Sequence, residues 1–541
     1  MTTSTRTPTG TPRSTWRGPV LGLVALVVPT ATALGVGCAE GTVSPSPDIQ
    51  PDSGTDGPTS YGGCIPSESA IPVSDDCGVW ASSSQGNDGN AGIKAGPTKT
   101  LAEAISRAIQ PDGTGRVYAC AEEFPEAVEI PPGITLYGGL ECTGTWEYIG
   151  AQEKSVLAAP PDLIAMKLLP GEATTRVEDF VIRAADGATP GASSIAVLAH
   201  ETRADLVRCD LASGNGATGA TGAPGAVPVM EGDPAPPASP GTQGNQGTKP
   251  CVLVTGGVAP VNAGGAAMQN ICEDGSASIG GKGGDSTTNV GLDGAAGQIG
   301  SAGPGGLGQA AGSTTWACTA GKGLGGTGSE GMLGTPGAPA SGLGMLSSAT
   351  GFVGMAGGAG TLGRPGQGGG GGGAGRGGYC SFFQGAFGAG GSGGSGGCGG
   401  KPGQGGGPGG ASFGLVSINA SVTLTASTVT AASGGVGGTG GEGQVGGPGG
   451  AGGLGGGDPG AATDGCPGGA GGKGGDGGPG GGGLGGHAAA VAFSGAAVTM
   501  EESTPLQFGA AGVGGPGGGM ASGEVAEGGL AAKVLELPVG P

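Results

Sequence analysis

Glycine at every third position is the feature that most restricts what this chain can fold into. It holds without exception over 291–306, 325–337, 385–409, 434–455 and 468–486, and three residues per turn is the repeat of polyproline II. Glycine then forms one edge of each extended helix. From 385 onward the pattern tightens to Gly-Gly-X with little proline, which leaves a collagen triple helix poorly pre-ordered. A flexible linker needs no strict period, so the spacing predicts ordered segments packed on their glycine edges. Those with two glycine edges (385–409, 434–455, 468–486) are expected inside a bundle, and those with one (291–306, 325–337) at its margin.

Such text cannot fold on side-chain burial alone. The chain has 139 glycines in 541 residues and only 3% aromatic residues. Each ordered residue costs roughly 1–2 kcal/mol of backbone entropy, whereas a buried Val, Leu or Ile returns roughly 1.5–3. Apolar burial is therefore concentrated in a few β-prone runs, notably 194–211, 415–429 and 491–500, each leading into glycine-rich text. With one-residue gaps Leu206, Leu424 and Met500 fall in register, and Cys209, Ser427 and Ser503 follow three residues later. This reads as a repeated rung from which a glycine-rich segment leaves at the same corner.

Ahead of these rungs the text differs. Leu101, Ala104, Ile105, Ala108 and Ile109 sit at helical spacing, which predicts one amphipathic helix. Short β-prone runs follow at 116–120, 127–130, 134–142, 176–183 and 194–198 with no helix between them; Phe180, Ile182, Ile195 and Val197 are expected to point inward. The order Asn87-Asp-Gly-Asn90, Pro97-Thr-Lys-Thr-Leu101, helix, Val117-Tyr-Ala119, then Glu126-Ala-Val-Glu-Ile-Pro-Pro-Gly-Ile-Thr-Leu-Tyr-Gly-Gly139 resembles the opening of a right-handed parallel β-helix of the pectin-lyase-like class. The resemblance spans roughly 77–215 and recurs at 411–433 and 487–508. It implies an all-β fold, a right-handed parallel β-helix with an N-terminal capping helix and long glycine-rich arms, polyproline II-like or disordered, inserted at one corner.

The first residues read as an export signal. Arg6, Arg13 and Arg17 precede the apolar run 20–28, too short to span a bilayer as a helix. Val36-Gly37-Cys38 resembles a bacterial lipobox, which implies lipidation of Cys38; plain secretion is the alternative. The expected division is a signal peptide at 1–37, a disordered tether at 38–62, capping helix and first β-helix coils at 63–215, a glycine-rich insertion at 216–410, and last coils at 411–541 with arms at 434–486 and 509–529. As a whole the chain resembles the glycine-rich (PGRS-like) surface lipoproteins of myxobacterial type, a resemblance that implies no activity. Net charge is −20, which argues against nucleic acid as a partner. The partners expected are the membrane through the N-terminal lipid and, beyond it, glycans or other surface proteins.

Twelve cysteines suit an exported chain. Cys120 and Cys142 lie 22 residues apart, about one turn of a β-helix, and strands stacked ~4.8 Å apart come within disulfide reach. Cys64 with Cys77, and Cys380 with Cys398, are pairs suggested by proximity. Eleven cysteines beyond Cys38 leave at least one unpaired within the chain.

One cluster carries side chains fit for chemistry, at 200–210. If the chain is an enzyme, His200, Asp205, Arg208 and Asp210 are the residues to line a groove for polysaccharide lysis or hydrolysis. The bland reading is a solvated face with mutual charge pairing. Gly280-Gly-Lys-Gly-Gly-Asp285 and Gly471-Gly-Lys-Gly-Gly-Asp476 resemble the start of calcium-binding nonapeptide repeats, which makes Asp285 and Asp476 calcium candidates; the hydrophobic eighth position is missing from both. No cofactor is expected. The reading is a non-enzymatic surface lipoprotein with a structural, adhesive or partner-binding role; the alternatives are a carbohydrate-active enzyme and a glycan- or ice-binding module.

Overall fold

A computed structural model describes residues 61–540 apart from 70, 226–234, 247–260, 299–302, 381–382, 386, 458–463 and 520–523. The expected signal peptide, the lipidation site Cys38 and nearly all of the tether lie outside the described residues.

Three apolar ladders organise the first part of the fold. In a seven-stranded sheet (Val79–Ala81, Arg116–Cys120, Thr135–Leu140, Thr174–Glu178, Arg203–Val207, Ser421–Thr425, Thr499–Met500), Val117, Leu136, Val177, Leu206, Leu424 and Met500 stand in register. The second sheet has six strands (Val128–Ile130, Met166–Leu168, Ser194–His200, Ser412–Ile418, Ala488–Ser494, Ala531–Glu536) and aligns Val128, Met166, Val197, Leu415, Val491 and Val534. The third, also of six (Glu123–Phe124, Ser155–Ala159, Phe180–Ala184, Asp210–Ala212, Thr428–Thr430, Leu506–Gln507), aligns Phe124, Leu157, Ile182, Leu211, Val429 and Leu506. Members of all three ladders share one buried core. Every pairing within these sheets is parallel, and the chain visits the first, third and second sheets in that order on each pass.

Hydrogen bonding thus defines three separate all-parallel sheets, accompanied by one α-helix among the described residues. This corrects the expected class, an all-β right-handed parallel β-helix with projecting arms. All-parallel pairing is closer to an α/β arrangement, and no closed solenoid is defined by it. Short β-prone runs specify strands and most inward positions, Phe180, Ile182 and Val197 among them. Ile195, expected inward as well, packs in a second cluster with Leu346, Phe352 and Phe413, and neither handedness nor closure is written in such runs.

The helix, α1 (Leu101–Ala108), forms where the sequence places it. The Thr100 side chain accepts from the Glu103 amide at 3.1 Å, and the Glu126 carboxylate accepts from the first two helical amides, Leu101 at 2.7 Å and Ala102 at 3.2 Å. Both satisfy donors a helix start leaves open. Its apolar stripe, Leu101, Ala104, Ile105 and Ala108, is buried in the sheets' core beside Phe124 and Val128.

The glycine-rich segments leave after Ala212, Thr430 and Gln507, always from the third sheet, and return at Ser412, Ala488 and Ala531, always into the second. They bond to each other laterally. Gly397, Gly400, Gly403 and Gly406 donate to Gly472, Gly475, Gly478 and Gly481 at 2.9–3.0 Å, one bond per three residues, the polyproline II spacing. Over 366–375 every amide donates, in rotation, to three different neighbouring segments. Over this stretch the backbone donors are satisfied without a sheet ladder. Residues 388–398 are all buried and none of 326–337 is, as two glycine edges against one predicts. The segment 434–455 corrects that expectation: its Val436, Glu442, Val445, Pro448, Ala451 and Leu454 are exposed, so two glycine edges do not by themselves place a segment inside. A Cβ on Gly397 or Gly400 would overlap the carbonyl of Gly447 or Gln444, so close backbone approach is what glycine permits here. The segments form one laterally bonded bundle, not separate arms.

Four disulfides among the described residues tie the fold: Cys64–Cys77, Cys120–Cys142, Cys272–Cys398 and Cys318–Cys466. The pairing of Cys398 with Cys380 is corrected, because Cys398 is bonded to Cys272, 126 residues away in sequence. Nearness along the chain misleads where lateral packing decides what meets. The bonds suit an oxidising, extracellular environment. No helix among the described residues is long and apolar enough to cross a membrane.

Candidate functional site

The charged residues of the 200–210 stretch are dispersed over two corners and one face. Where the chain turns from the first sheet into the third, Asp179 and Arg208 occupy the same position on adjacent passes, with the Asp179 amide bonded to the Val207 carbonyl. Both have left-handed backbone, φ +58° and +50°, which carries the chain round the corner at a conformational cost. The Arg208 guanidinium grips Asp179 with two bonds, Nε to Oδ1 and Nη2 to Oδ2, each 2.8 Å, and reaches Glu178 Oε2 at 2.6 Å. Arg176 holds the other oxygen of Glu178 and lies 3.9 Å from Asp205. The Tyr148 hydroxyl donates to Asp179 Oδ2 at 3.1 Å.

This is a closed network. Glu178 and Asp179 are 1% and 2% exposed, and two guanidinium groups neutralise them. The bonds to Asp179 hold the Arg208 guanidinium well above its ordinary pKa, against the opposing effect of desolvation. Burial first, and the Asp179 charge second, raise Tyr148. Paired, bonded and water-poor carboxylates fit structural ion pairs, and neither is placed to accept a substrate proton. Arg176, Glu178, Asp179 and Tyr148 were missed as a cluster in the sequence. A signal exists: Glu178-Asp179 and Arg208 each end a β-prone run of the same register.

The remaining candidates are engaged elsewhere. Asp210 accepts from Lys154 Nζ and from the Thr428 hydroxyl, both at 2.7 Å. His200 lies 3.8 Å from Glu201 and lines a cavity of about 360 Å³ with Met345, Ser347, Ile418 and Asn419. Asp205, Arg208 and Asp210 are absent from that lining, so the four residues proposed for catalysis are not brought to one groove. A larger cavity, about 800 Å³, lies elsewhere, bounded by Glu129, Leu163, Lys167 and Phe352. Cys209 is buried and in no disulfide, and burial pushes its thiol up to about 12, which makes it a poor nucleophile.

Asp285 and Asp476 have the same surroundings as each other. Each accepts from the lysine three residues earlier, Lys282 at 2.8 Å or Lys473 at 2.7 Å, and from a glycine amide of a neighbouring segment, Gly264 or Gly446 at 2.8 Å. Burial opposes the charge, but these donors outweigh it and hold both carboxyls below their ordinary range. The repeated Gly-Gly-Lys-Gly-Gly-Asp is thus a lateral staple whose carboxylate replaces a backbone carbonyl in the bundle. Among the described residues no group of three or more His, Cys, Asp or Glu is placed to hold a metal.

No protein-family model matches the chain, and neither a curated protein nor a solved structure shows significant similarity to it.

Proposed function

We propose that this chain is a non-enzymatic, exported surface protein, held to a membrane through lipidated Cys38, with a structural, adhesive or partner-binding role. The observation that carries the reading is the Arg208–Asp179–Glu178 network: its charged groups are consumed in bonds to one another. Meanwhile much of the chain's length goes into a backbone-bonded bundle whose margin carries exposed side chains such as Met332, Leu333 and Leu454. A rigid body with a broad varied surface suits contact with other molecules more than turnover of a small substrate. The proposed kinship with glycine-rich myxobacterial-type surface lipoproteins fits the same role.

The test is a turnover screen on acidic polysaccharides with the full chain and with His200→Ala and Asp205→Ala. No turnover by any of the three is expected. Turnover abolished by either replacement would establish the carbohydrate-active alternative. For the anchor, Cys38→Ala should release the protein from the membrane fraction.

A further inference from the structure

The three apolar ladders end together. At the start of the stack α1 covers them, packing on the strands Val79–Ala81, Arg116–Cys120 and Val128–Ile130 with its stripe buried in the shared core. At the finish the last members are Met500, Leu506 and Val534, of which the first two are only partly buried and Val534 is 43% exposed. Phe508, two residues beyond Leu506, is 41% exposed. The strands bearing these residues are the terminal strands of all three sheets, and no strand among the described residues pairs with their outer edges. The core that α1 covers at one end has no such helix, among the described residues, at the other.

The rim of this open end is acidic. Glu501 and Glu502 are exposed on the turn between Thr499–Met500 and Leu506–Gln507, and Glu536 is exposed on the last strand, which also carries Lys533. Two such ends would repel, which disfavours a second copy as the occupant.

We propose that the end formed by Met500, Leu506, Phe508 and Val534 docks an amphipathic helix of a partner protein, its apolar stripe laid over the ladder ends and its flanks bearing Lys or Arg toward Glu501, Glu502 and Glu536. The occupant repeats at this end what α1 does at the other. Helix-in-groove recognition supplies the contact and the opposite charges orient it. The inference deepens the partner-binding reading and rests on it; an enzymatic turnover would remove that reading while leaving the titration below unaffected.

The experiment titrates the full chain into a labelled synthetic helix of Leu, Ala and Lys arranged as one apolar stripe with basic flanks. Two controls are a peptide of the same composition with the stripe scrambled and one with Glu in place of Lys. Saturable binding is expected for the first peptide alone. Val534→Asp should weaken it tenfold or more, and so, independently, should Glu501→Lys with Glu502→Lys, exposed positions that leave the core intact. No binding, equal binding of the scrambled peptide, or binding indifferent to both variants would overturn the proposal. Concentration-dependent dimerisation lost in Val534→Asp would overturn it in favour of a second copy.

Discussion

Arg208 closes on Asp179 with two parallel bonds of 2.8 Å, although 29 residues separate them in sequence. Both sit at one corner of adjacent passes, so the pair clamps one layer to the next. Removing the cation leaves two carboxylates with exposures of 1% and 2% short of a partner. Breaking a buried pair in this way costs about 3–5 kcal/mol. Arg208→Ala should lose that much in denaturant unfolding, and Arg208→Lys should recover only part of it, because an ammonium cannot form the two-pronged contact. A loss under 1 kcal/mol would show that water reaches the corner.

His487 gives the fold a defined response to mild acid. Its ring is buried; Nδ1 accepts from the Leu530 amide at 2.8 Å, while Nε2 lies 2.6 Å from the Leu343 carbonyl. That arrangement needs the neutral ring with its proton on Nε2. Desolvation lowers its pKa, opposed in part by the Leu343 bond. With the folded value below the ordinary 6.5, the unfolded chain binds the proton first, so stability is complete above about pH 6.5 and falls as pH drops below it, levelling off beneath the folded value. Urea unfolding at pH 7.5 and 5.5 should show this decline, and His487→Gln should flatten it. An equal decline in the variant would assign the effect to carboxylates.

Interior glycines of the bundle should tolerate no side chain. A Cβ at Gly397 would overlap the Gly447 carbonyl, whereas one at Gly457 meets nothing within 4 Å. Gly397→Ala should destabilise by roughly 1–3 kcal/mol or more through overpacking, and Gly457→Ala should change little. Hydrogen exchange supplies a second measure: the amides of 391–409 should exchange far more slowly than random coil. Random-coil rates there would remove the bundle.

Much of this was legible because some signals are local and periodic. The alignment of Leu206, Leu424 and Met500 follows from spacing alone and is the register observed. Counting glycine edges separates 388–398 from 326–337 but misplaces 434–455, whose Val436, Val445 and Leu454 are exposed. The partner of Cys398 was not legible, since Cys272 reaches it through packing of segments whose order across the bundle no short-range rule fixes. Nor was the fate of Arg208. The left-handed corner that turns it onto Asp179 falls on a residue type with no special preference for that conformation. The parallel order of the strands was readable from their repetition, but the class of fold they build was not, for the hydrogen bonds place those strands in three separate parallel sheets and the sequence alone suggested one continuous helix of strands.

The Cys318–Cys466 bond joins points 148 residues apart, and it ties a marginal segment to one of the central ones. The Gly325 amide bonds to the Pro467 carbonyl beside it, and the register continues through Gly328 to Ala470, Gly331 to Lys473 and Gly334 to Asp476. A bond that closes so long a loop restricts the unfolded chain by roughly 4–5 kcal/mol in the chain-entropy estimate. It also fixes the register from which the lateral bonds propagate. Replacing both cysteines with serine should therefore lower stability by about 3–5 kcal/mol. It should also speed amide exchange at Gly325, Gly328 and Gly331 more than at Gly397 or Gly400, which have neighbours on several sides. Uniform acceleration across the bundle would instead show that the disulfide acts on global unfolding alone.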